Sequence, residues 1–220
     1  MSVLFDMLVK RASSLVRPGG ERVILGITGA PGSGKSTLAG HLTAALKATG
    51  LAAVQVPMDG FHLADVELTR LGILDRKGAI ETFDASGFRV LLQRLRSDRQ
   101  ATVYAPSFDR AIEQPIAGAI PVIPDVGIVV TEGNYLLAPQ DPWPTVRAQL
   151  DEVWYAELPD ATRIGRLVSR HVRFGKAPRA AELWVSTVDQ TNADVVVAWR
   201  DRADLVVDTG ACQLPPLSGE

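Results

Sequence analysis

The segment at residues 29–36, Gly-Ala-Pro-Gly-Ser-Gly-Lys-Ser, constrains this 220-residue chain more than any other feature. It matches the spacing G-x-x-x-x-G-K-[ST], follows the apolar run at 23–27 and precedes a helix-length segment. Glycines at these positions let backbone N–H groups turn inward, where they and the start of the next helix can surround phosphate oxygens. The pattern therefore predicts a strand, a phosphate-binding loop (P-loop) and a helix, in that order.

Apolar runs of strand length occur at five places, and helix-length segments lie between most of them. The predicted strands are 23–27, 53–57, 128–131, 153–156 and 205–207, and the predicted helices are 35–49, 85–97 and 160–174. Such alternation predicts an α/β fold with a parallel five-stranded core sheet flanked by helices.

The remaining segments predict further parts of a single domain that spans residues 1–220. Residues 1–20 are predicted to hold an N-terminal amphipathic helix, and 115–124, rich in Pro, Gly and Ala, a loop or an edge hairpin. Residues 213–220, with two prolines and a glycine, are predicted to form a frayed tail.

Charge and cysteine content exclude several classes of partner. Lys and Arg number 23 against 25 Asp and Glu, a net charge of −2, so no global positive field draws the chain to nucleic acid or anionic lipid. The single cysteine, Cys212, fits a reducing compartment, and no apolar run is long enough to span a bilayer. We expect a cytoplasmic protein without nucleic-acid or membrane partners, and the sequence leaves open whether it forms a homodimer.

Two acidic residues follow predicted strands and are candidates for magnesium binding and catalysis. Asp59 lies just beyond the second strand, at the sheet edge where parallel folds bind ligands, and could accept a hydroxyl proton and order Mg²⁺ waters. The alternative is that Asp59 serves only its Asp-Gly turn. Glu132 ends the run at 127–131, in the Walker B position, where Mg²⁺ is a natural partner; it could instead only cap the next turn.

Polar groups between the second and third core strands are candidates for binding a small acceptor. They occur at 76–78 (Arg-Lys-Gly), 82–84 (Thr-Phe-Asp) and 106–110 (Pro-Ser-Phe-Asp-Arg), and we interpret all three segments as loops. Arginine forks can bind acidic or hydroxyl groups, although ordinary surface charge is the alternative for each segment.

Four arginines on the last predicted helix share one face. Arg163, Arg166, Arg170 and Arg173 are spaced three and four residues apart, and the sequence predicts that this face, within a lid at 160–180, closes over nucleotide phosphates. A solvated basic face is the alternative.

A GTPase is disfavoured. Asp84-Ala85-Ser86-Gly87 spells D-x-x-G, but no hydrophobic strand precedes it and no guanine-reading N-K-x-D follows.

Together, the P-loop, Met-Asp-Gly-Phe-His at 58–62, the three polar segments and Glu-Gly-Asn-Tyr at 132–135 resemble the P-loop kinase group of uridine kinase, phosphoribulokinase and type I pantothenate kinase. Within that group the chain is most similar to the bacterial nucleoside/nucleotide kinase-like branch that includes fructose transport system kinases. The resemblance covers roughly residues 21–208 and implies a P-loop NTPase fold with a helical lid.

The resemblance and the motifs together assign residues to roles. Predicted catalytic residues are Asp59, Lys35, Arg170 and Arg173. Predicted nucleotide-binding residues are Gly29, Ala30, Pro31, Gly32, Ser33, Gly34, Lys35, Ser36, Thr37, Arg166 and Arg170. Predicted substrate-binding residues are Asp59, His62, Arg76, Lys77, Asp84, Asp109, Arg110, Asn134 and Tyr135, and predicted metal ligands are Ser36, Asp59 and Glu132.

These roles predict an ATP- and Mg²⁺-dependent kinase acting on a hydroxyl of a small polar metabolite. A sugar, a nucleoside or a pantothenate-like acid could use the same phosphate machinery. The alternatives from other classes are a P-loop NTP hydrolase and an ATP-binding regulatory protein without a small-molecule acceptor.

Overall fold

A computed structural model describes residues 2–212 and 214. Its centre is a five-stranded sheet in the order β2-β5-β1-β6-β7, in which every pair of neighbours is parallel. These strands are β1 (Val23–Thr28), β2 (Ala53–Pro57), β5 (Ile128–Glu132), β6 (Glu152–Glu157) and β7 (Leu205–Asp208). All five predicted strands are confirmed, as is the parallel α/β class.

Helices cover both faces of this sheet. They are α1 (Val3–Leu15), α2 (Lys35–Ala48), α3 (Asp65–Leu71), α4 (Ala85–Ser97), α5 (Trp143–Arg147), α6 (Asp160–Arg173), α7 (Pro178–Trp184) and α8 (Gln190–Val197). The predicted helices at 35–49, 85–97 and 160–174 correspond to α2, α4 and α6. The N-terminal helix predicted within residues 1–20 is α1, which ends at Leu15.

Alternation along the central strands divides the core into two apolar layers. Ile24 and Val129 point to the layer that contains α4 and α5, whereas Leu25 and Val130 point to the layer that contains α1 and α2. Every residue of β1 and β5 is buried, because a parallel strand with helices on both faces has no solvent side.

Strand register brings the predicted chemistry to one edge. Ile27 and Pro57 both pair with Glu132, so the loops that leave β1, β2 and β5 begin at the same carboxyl end of the sheet. Ligands bind at this edge in open parallel sheets.

A separate antiparallel hairpin, made of β3 (Val103–Asp109) and β4 (Gln114–Val122), brings its turn to this edge, where Arg110 contacts Asp59. The segment at 115–124 is thus an edge hairpin, one of its two predicted forms. The segment at 106–110 was wrongly interpreted as a loop, since most of it lies in β3. The ladder tolerates Pro106 because the register shifts between Ala105 and Ser107.

The predicted tail at 213–220 lies outside the described residues, apart from Leu214. In the described part of the chain, the helices are too short or too polar to cross a membrane.

Candidate active site

The P-loop is held in a tightly packed turn between β1 and α2. A Cβ at Gly29, whose φ is 152°, would lie 2.5 Å from the carbonyl oxygen of Ala156, and one at Gly32, whose φ is 80°, would lie 2.7 Å from Leu167 Cγ. Side chains at these two positions would collide with β6 and α6. The glycines therefore allow the loop to pack closely against β6 and α6.

Three polar side chains meet beside this loop. Lys35 Nζ lies 3.5 Å from its own loop's Ala30 carbonyl, and Ser36 Oγ donates a 3.0 Å hydrogen bond to Glu132 Oε2. Burial lowers the pKa of Lys35. Burial, reinforced by the charge of Asp59, raises the pKa of Glu132 to about 7. Both groups thus carry charges that burial disfavours and that bound counter-ions would stabilise.

The donor set fits a magnesium ion. The Ser36 hydroxyl and the Glu132 and Asp59 carboxylates are oxygen ligands of the kind Mg²⁺ prefers. Burial, together with the Asp59 charge, raises the pKa of Glu132, and a bound cation would offset both effects. Across residues 2–212 and 214, no group of three or more His, Cys, Asp or Glu side chains could hold a metal alone. Phosphate oxygens or water would have to complete the shell, as is usual for Mg²⁺ at nucleotide sites.

Asp59 faces the same cavity from the short 3₁₀ helix Met58–Phe61 that follows β2. Arg110 Nη2 donates to Asp59 Oδ2 at 3.3 Å, and His62 Nε2 lies 4.0 Å from Asp59 Oδ1. The cavity measures about 810 Å³ and is also lined by Lys35, Ser36 and Glu132. One continuous space therefore joins the phosphate loop to Asp59.

His62 is held between two aromatic rings. Its ring centroid lies 4.0 Å from that of Phe83 and 4.9 Å from that of Phe108. Burial lowers its pKa to about 4, so the imidazole is neutral at physiological pH. Its Nδ1 atom has no hydrogen-bond partner among the described residues.

Lys77 connects the walls of the cavity. Its Nζ atom donates to Asp65 Oδ1 at 2.5 Å and also to the carbonyl oxygen of Glu113 at the hairpin turn. It lies 5.5 Å from the centroid of the Phe108 ring. Lys77 thus joins the start of α3 to the tip of the hairpin.

Three predicted substrate-binding residues have structural partners instead and do not line the cavity. Exposed Arg76 pairs with Glu81 at 2.8 Å. Asp84 caps α4 by accepting from the Gly87 N–H at 2.8 Å, which also explains the D-x-x-G spacing. Asp109 accepts from the Ala111 N–H at 2.8 Å in the hairpin turn. Turns and caps select the same polar residues as binding loops do.

Tyr135 was also predicted to bind substrate, and it lies behind the cavity wall. Its ring is 1% exposed, and its hydroxyl donates to the Gly78 carbonyl oxygen at 2.5 Å. Neighbouring Asn134 does line the cavity, and its side-chain oxygen is buried without a hydrogen-bond partner among the described residues.

The four arginines of α6 do not act as one face. Arg163 is 1% exposed and donates to the Pro31 carbonyl oxygen at 3.1 Å and to Gln190 Oε1 at 2.6 Å. Arg170 lines the cavity, where burial lowers its pKa. Arg166 is exposed and lies beside the P-loop: its Nη1 atom is 3.6 Å from the point that a Cβ on Gly34 would occupy.

Arg173 is exposed and lies outside the cavity lining, so the predicted catalytic position is not reached. The reason is helical geometry. Side chains seven residues apart on a helix point in almost the same direction, so Arg163 and Arg170 share one direction and Arg166 and Arg173 share another. The two directions differ by roughly 60°, and the second faces solvent.

Several cavity-lining residues carry no motif and were missed. They are Asp65, Glu113, His171, Trp184, Asp189 and Asn192. His171 Nε2 lies 2.8 Å from Asp189 Oδ2, at the end of a π-helical turn, Val185–Asp189, between α7 and α8. No spacing rule marks such a turn in a sequence, although π-turns often occur at functional sites.

Comparison with known proteins agrees with this geometry. The sequence profile of the Phosphoribulokinase / Uridine kinase family matches residues 24–141. The ATP-dependent kinase-like protein notR' of Aspergillus versicolor is 38% identical over 149 residues, which cover 64% of this chain and 87% of that protein. A candidate uridine kinase of Schizosaccharomyces pombe is 37% identical over 177 residues, covering 78% and 75% of the two chains.

A solved structure extends the likeness to nearly the whole chain. It is the crystal structure of a candidate fructose transport system kinase from Silicibacter sp. TM1040, with 40% identity and a TM-score of 0.86 over 94% of this chain and 100% of that one. The chain therefore has the fold of the P-loop kinases and belongs to the phosphoribulokinase/uridine kinase family.

Proposed function

We propose that the protein is a Mg²⁺-dependent kinase that transfers the γ-phosphate of ATP to a hydroxyl of a small polar metabolite. The observation that carries this proposal is the single cavity that joins Lys35 and Ser36 of the P-loop to Asp59 and continues past it. A nucleotide site alone would not need that additional space, whereas a transferase must hold two substrates.

The P-loop side would bind the nucleotide. Backbone N–H groups of the P-loop and of the amino terminus of α2 would hold the phosphates, with Lys35 at the β and γ groups. Arg170, and Arg166 at the loop's outer side, would neutralise charge from α6. Ser36, Glu132 and Asp59 would hold Mg²⁺, which when bound neutralises phosphate charge during transfer.

Asp59 would be the catalytic base. Its carboxylate would accept the proton of the acceptor hydroxyl as that oxygen forms a bond to the γ-phosphorus; the bond from phosphorus to the β–γ bridging oxygen breaks, and ADP leaves. Arg110, which donates to Asp59 Oδ2 at 3.3 Å, would orient the carboxylate.

The opposite side of the cavity would bind the acceptor. His62, Lys77, Arg110 and Asn134 line it, and His62 and Asn134 each have a buried polar atom without a partner among the described residues. The acceptor would be a sugar, a nucleoside or a pantothenate-like acid, each of which offers a hydroxyl to Asp59.

The test is ADP release from the purified protein with Mg²⁺ and ATP across sugars, sugar phosphates, nucleosides, pantothenate and vitamin precursors. Lys35→Ala is the blank, since it removes phosphate binding from within the P-loop. We expect one acceptor class to stimulate ADP release and to gain one phosphate per ADP, with both lost in the variant.

Release that ignores every acceptor but disappears in Lys35→Ala would identify an NTP hydrolase and refute the kinase. ATP binding without any turnover would identify a regulatory protein.

A further inference from the structure

Two peptide groups inside the P-loop precede a glycine, Pro31–Gly32 and Ser33–Gly34. The φ angles of Gly32 and Gly34 are 80° and 88°. Because glycine adopts positive and negative φ about equally readily, such a peptide can turn over with little backbone strain. Turning over would put a carbonyl oxygen where the N–H group had been. In a loop that binds phosphate, these two peptides are the ones that must be held in one orientation.

Thr209 holds the Ser33–Gly34 peptide. It follows the last residue of β7, and its hydroxyl oxygen lies 2.7 Å from the Ser33 carbonyl oxygen and 2.9 Å from that of Glu157. A hydroxyl has one proton to donate, and the Glu157 oxygen already accepts the Thr209 N–H at 3.0 Å. The hydroxyl proton is therefore available to Ser33, the nearer of the two oxygens.

Thr209 is itself fixed at the end of the sheet. The strand register pairs Glu157 of β6 with Asp208 of β7, and the Thr209 N–H extends that pairing by one bond. Asp208 Oδ1 accepts from the N–H groups of Gly210 and Ala211 at 2.8 and 3.0 Å, which closes the turn after the strand. The hydroxyl thus reaches the P-loop from a strand end, where a side chain is placed more exactly than on a long loop.

Arg163 holds the other peptide, Pro31–Gly32. Its Nη1 donates to the Pro31 carbonyl oxygen at 3.1 Å, its Nη2 to Gln190 Oε1 at 2.6 Å and its Nε to Asp160 Oδ1 at 3.1 Å. Arg163 is 1% exposed, and a Cβ on Gly32 would lie 3.0 Å from Arg163 Cγ. Three partners and close packing leave the guanidinium little freedom to turn.

The held carbonyl groups determine where two N–H groups point. Both peptides are trans, and in a trans peptide the N–H points opposite to the C=O. The Gly34 N–H therefore points away from Thr209, and the Gly32 N–H points away from Arg163. The strand order places the end of β7 on the opposite side of β1 from β5 and β2, the strands that lead to Glu132 and Asp59.

Neither N–H group is used within the protein. The Ser33 N–H donates to the Ala30 carbonyl oxygen at 3.1 Å, whereas those of Gly32 and Gly34 make no hydrogen bond to another described residue. The first turn of α2 also has no side-chain cap. Two outward carbonyls with bonds and two N–H groups without them are the arrangement expected of a loop prepared for an anion.

We infer that Thr209 and Arg163 are positioning residues for nucleotide binding. Each holds one carbonyl of the P-loop outward, so that the Gly34 and Gly32 N–H groups are directed at the phosphates before ATP binds. Preorganised donors spend no binding energy on reorientation, whereas a peptide that had turned over would present its carbonyl oxygen to an anion. The inference rests on the proposed binding of ATP and adds two side chains from outside the P-loop.

The first test measures the binding of ATP and of tripolyphosphate to the full chain by calorimetry with Mg²⁺. Tripolyphosphate is the phosphate chain without base or ribose. Thr209→Val removes the hydroxyl at constant size and should weaken both ligands about tenfold, whereas Thr209→Ser, which keeps the hydroxyl, should bind both as wild type does. Thr49→Val is the matched control, because the Thr49 hydroxyl donates at 2.7 Å to Leu46 at the far end of α2, and its affinities should not change.

A loss confined to ATP would mean that Thr209 contacts the base or the ribose. Unchanged affinity for both ligands in Thr209→Val would mean that its hydroxyl serves the fold alone. Either result would overturn the inference while leaving the kinase function intact. If wild type bound neither ligand, the proposed kinase function would fail as well.

The second test separates the two ends of the Arg163 side chain. Arg163→Met removes the donors but keeps a long side chain, and it should weaken tripolyphosphate binding about tenfold. Gln190→Ala removes a different contact of the same guanidinium and leaves the Pro31 bond in place, so the affinity should change less than about twofold. An equal loss in the two variants would mean that Arg163 acts through the packing of α6 against α8, which would overturn its role at Pro31.

NMR of protein labelled at the glycine nitrogens gives a readout that a change in stability would not move. Tripolyphosphate should shift the amide protons of Gly32 and Gly34 downfield in wild type, because a hydrogen bond to an anion deshields the donated proton. Thr209→Val should reduce mainly the Gly34 shift, and Arg163→Met mainly the Gly32 shift. A Gly34 shift that is the same in Thr209→Val and wild type would refute the role of Thr209.

Discussion

The pH dependence of the free energy of unfolding tests how unfavourable the buried charge of Glu132 is in the folded protein. Burial and the Asp59 charge raise its pKa from the ordinary 4.5 to about 7. Between these values the folded protein retains a proton that the unfolded chain has lost, so the free energy of unfolding falls as pH rises through that window. At about 1.4 kcal/mol per tenfold change in proton affinity, the loss approaches about 3 kcal/mol above pH 7. Glu132→Gln removes this pH-dependent loss of stability, because glutamine does not ionise.

The assay is urea unfolding in magnesium-free buffer from pH 4.5 to 8. His62 titrates in the opposite sense, since its lowered pKa of about 4 makes the fold more stable as pH rises toward the ordinary value of 6.5. The difference between wild type and Glu132→Gln cancels that contribution, and we expect it to grow by about 3 kcal/mol in favour of the variant. The control variant Glu182→Gln changes an exposed carboxylate outside the cavity lining, so its free energy of unfolding should depend on pH as that of wild type does. A difference independent of pH would refute the reasoning.

Three further predictions concern single side chains. Asp59→Asn should retain ATP binding by calorimetry but lose at least about 100-fold in kcat with the acceptor, and an unchanged kcat would remove its role as base. Arg163→Ala should lower the free energy of unfolding by about 2–4 kcal/mol in urea and raise the KM for ATP, because it leaves the Pro31 and Gln190 oxygens unpaired. Tyr135→Phe should cost about 1–2 kcal/mol in the same assay and raise the acceptor KM, since the Gly78 carbonyl loses its donor; an unaltered acceptor KM would contradict this.

The sheet could be predicted because its strands are short apolar runs with a regular alternation of helices between them. Burial on both faces leaves β1 and β5 no polar positions, and that is visible in the sequence. The segment at 106–110 was harder, because its proline and polar residues are typical of a loop. Its pairing with β4 depends on a register shift between Ala105 and Ser107, which no local sequence pattern predicts.

The phosphate side of the site could be predicted for a different reason. Its residues are adjacent in sequence or end a strand, so Lys35, Ser36, Asp59 and Glu132 reach one cavity through local geometry. The acceptor side is assembled from segments far apart in the chain. Asn192 faces Gly78 only because of how α8 packs, and polarity alone could not separate Lys77 in the cavity from Asp84 in a helix cap.

Arg163 connects the phosphate side of the site to the acceptor side. The sequence predicts that Arg163, on the lid, binds nucleotide phosphates. In the structure its guanidinium instead donates to the Pro31 carbonyl oxygen in the P-loop and to Gln190 Oε1. Arg163 therefore connects the P-loop to the start of α8. In the proposed kinase, Arg163 would couple the conformation of the P-loop to that of α8, which lines the cavity at Asn192.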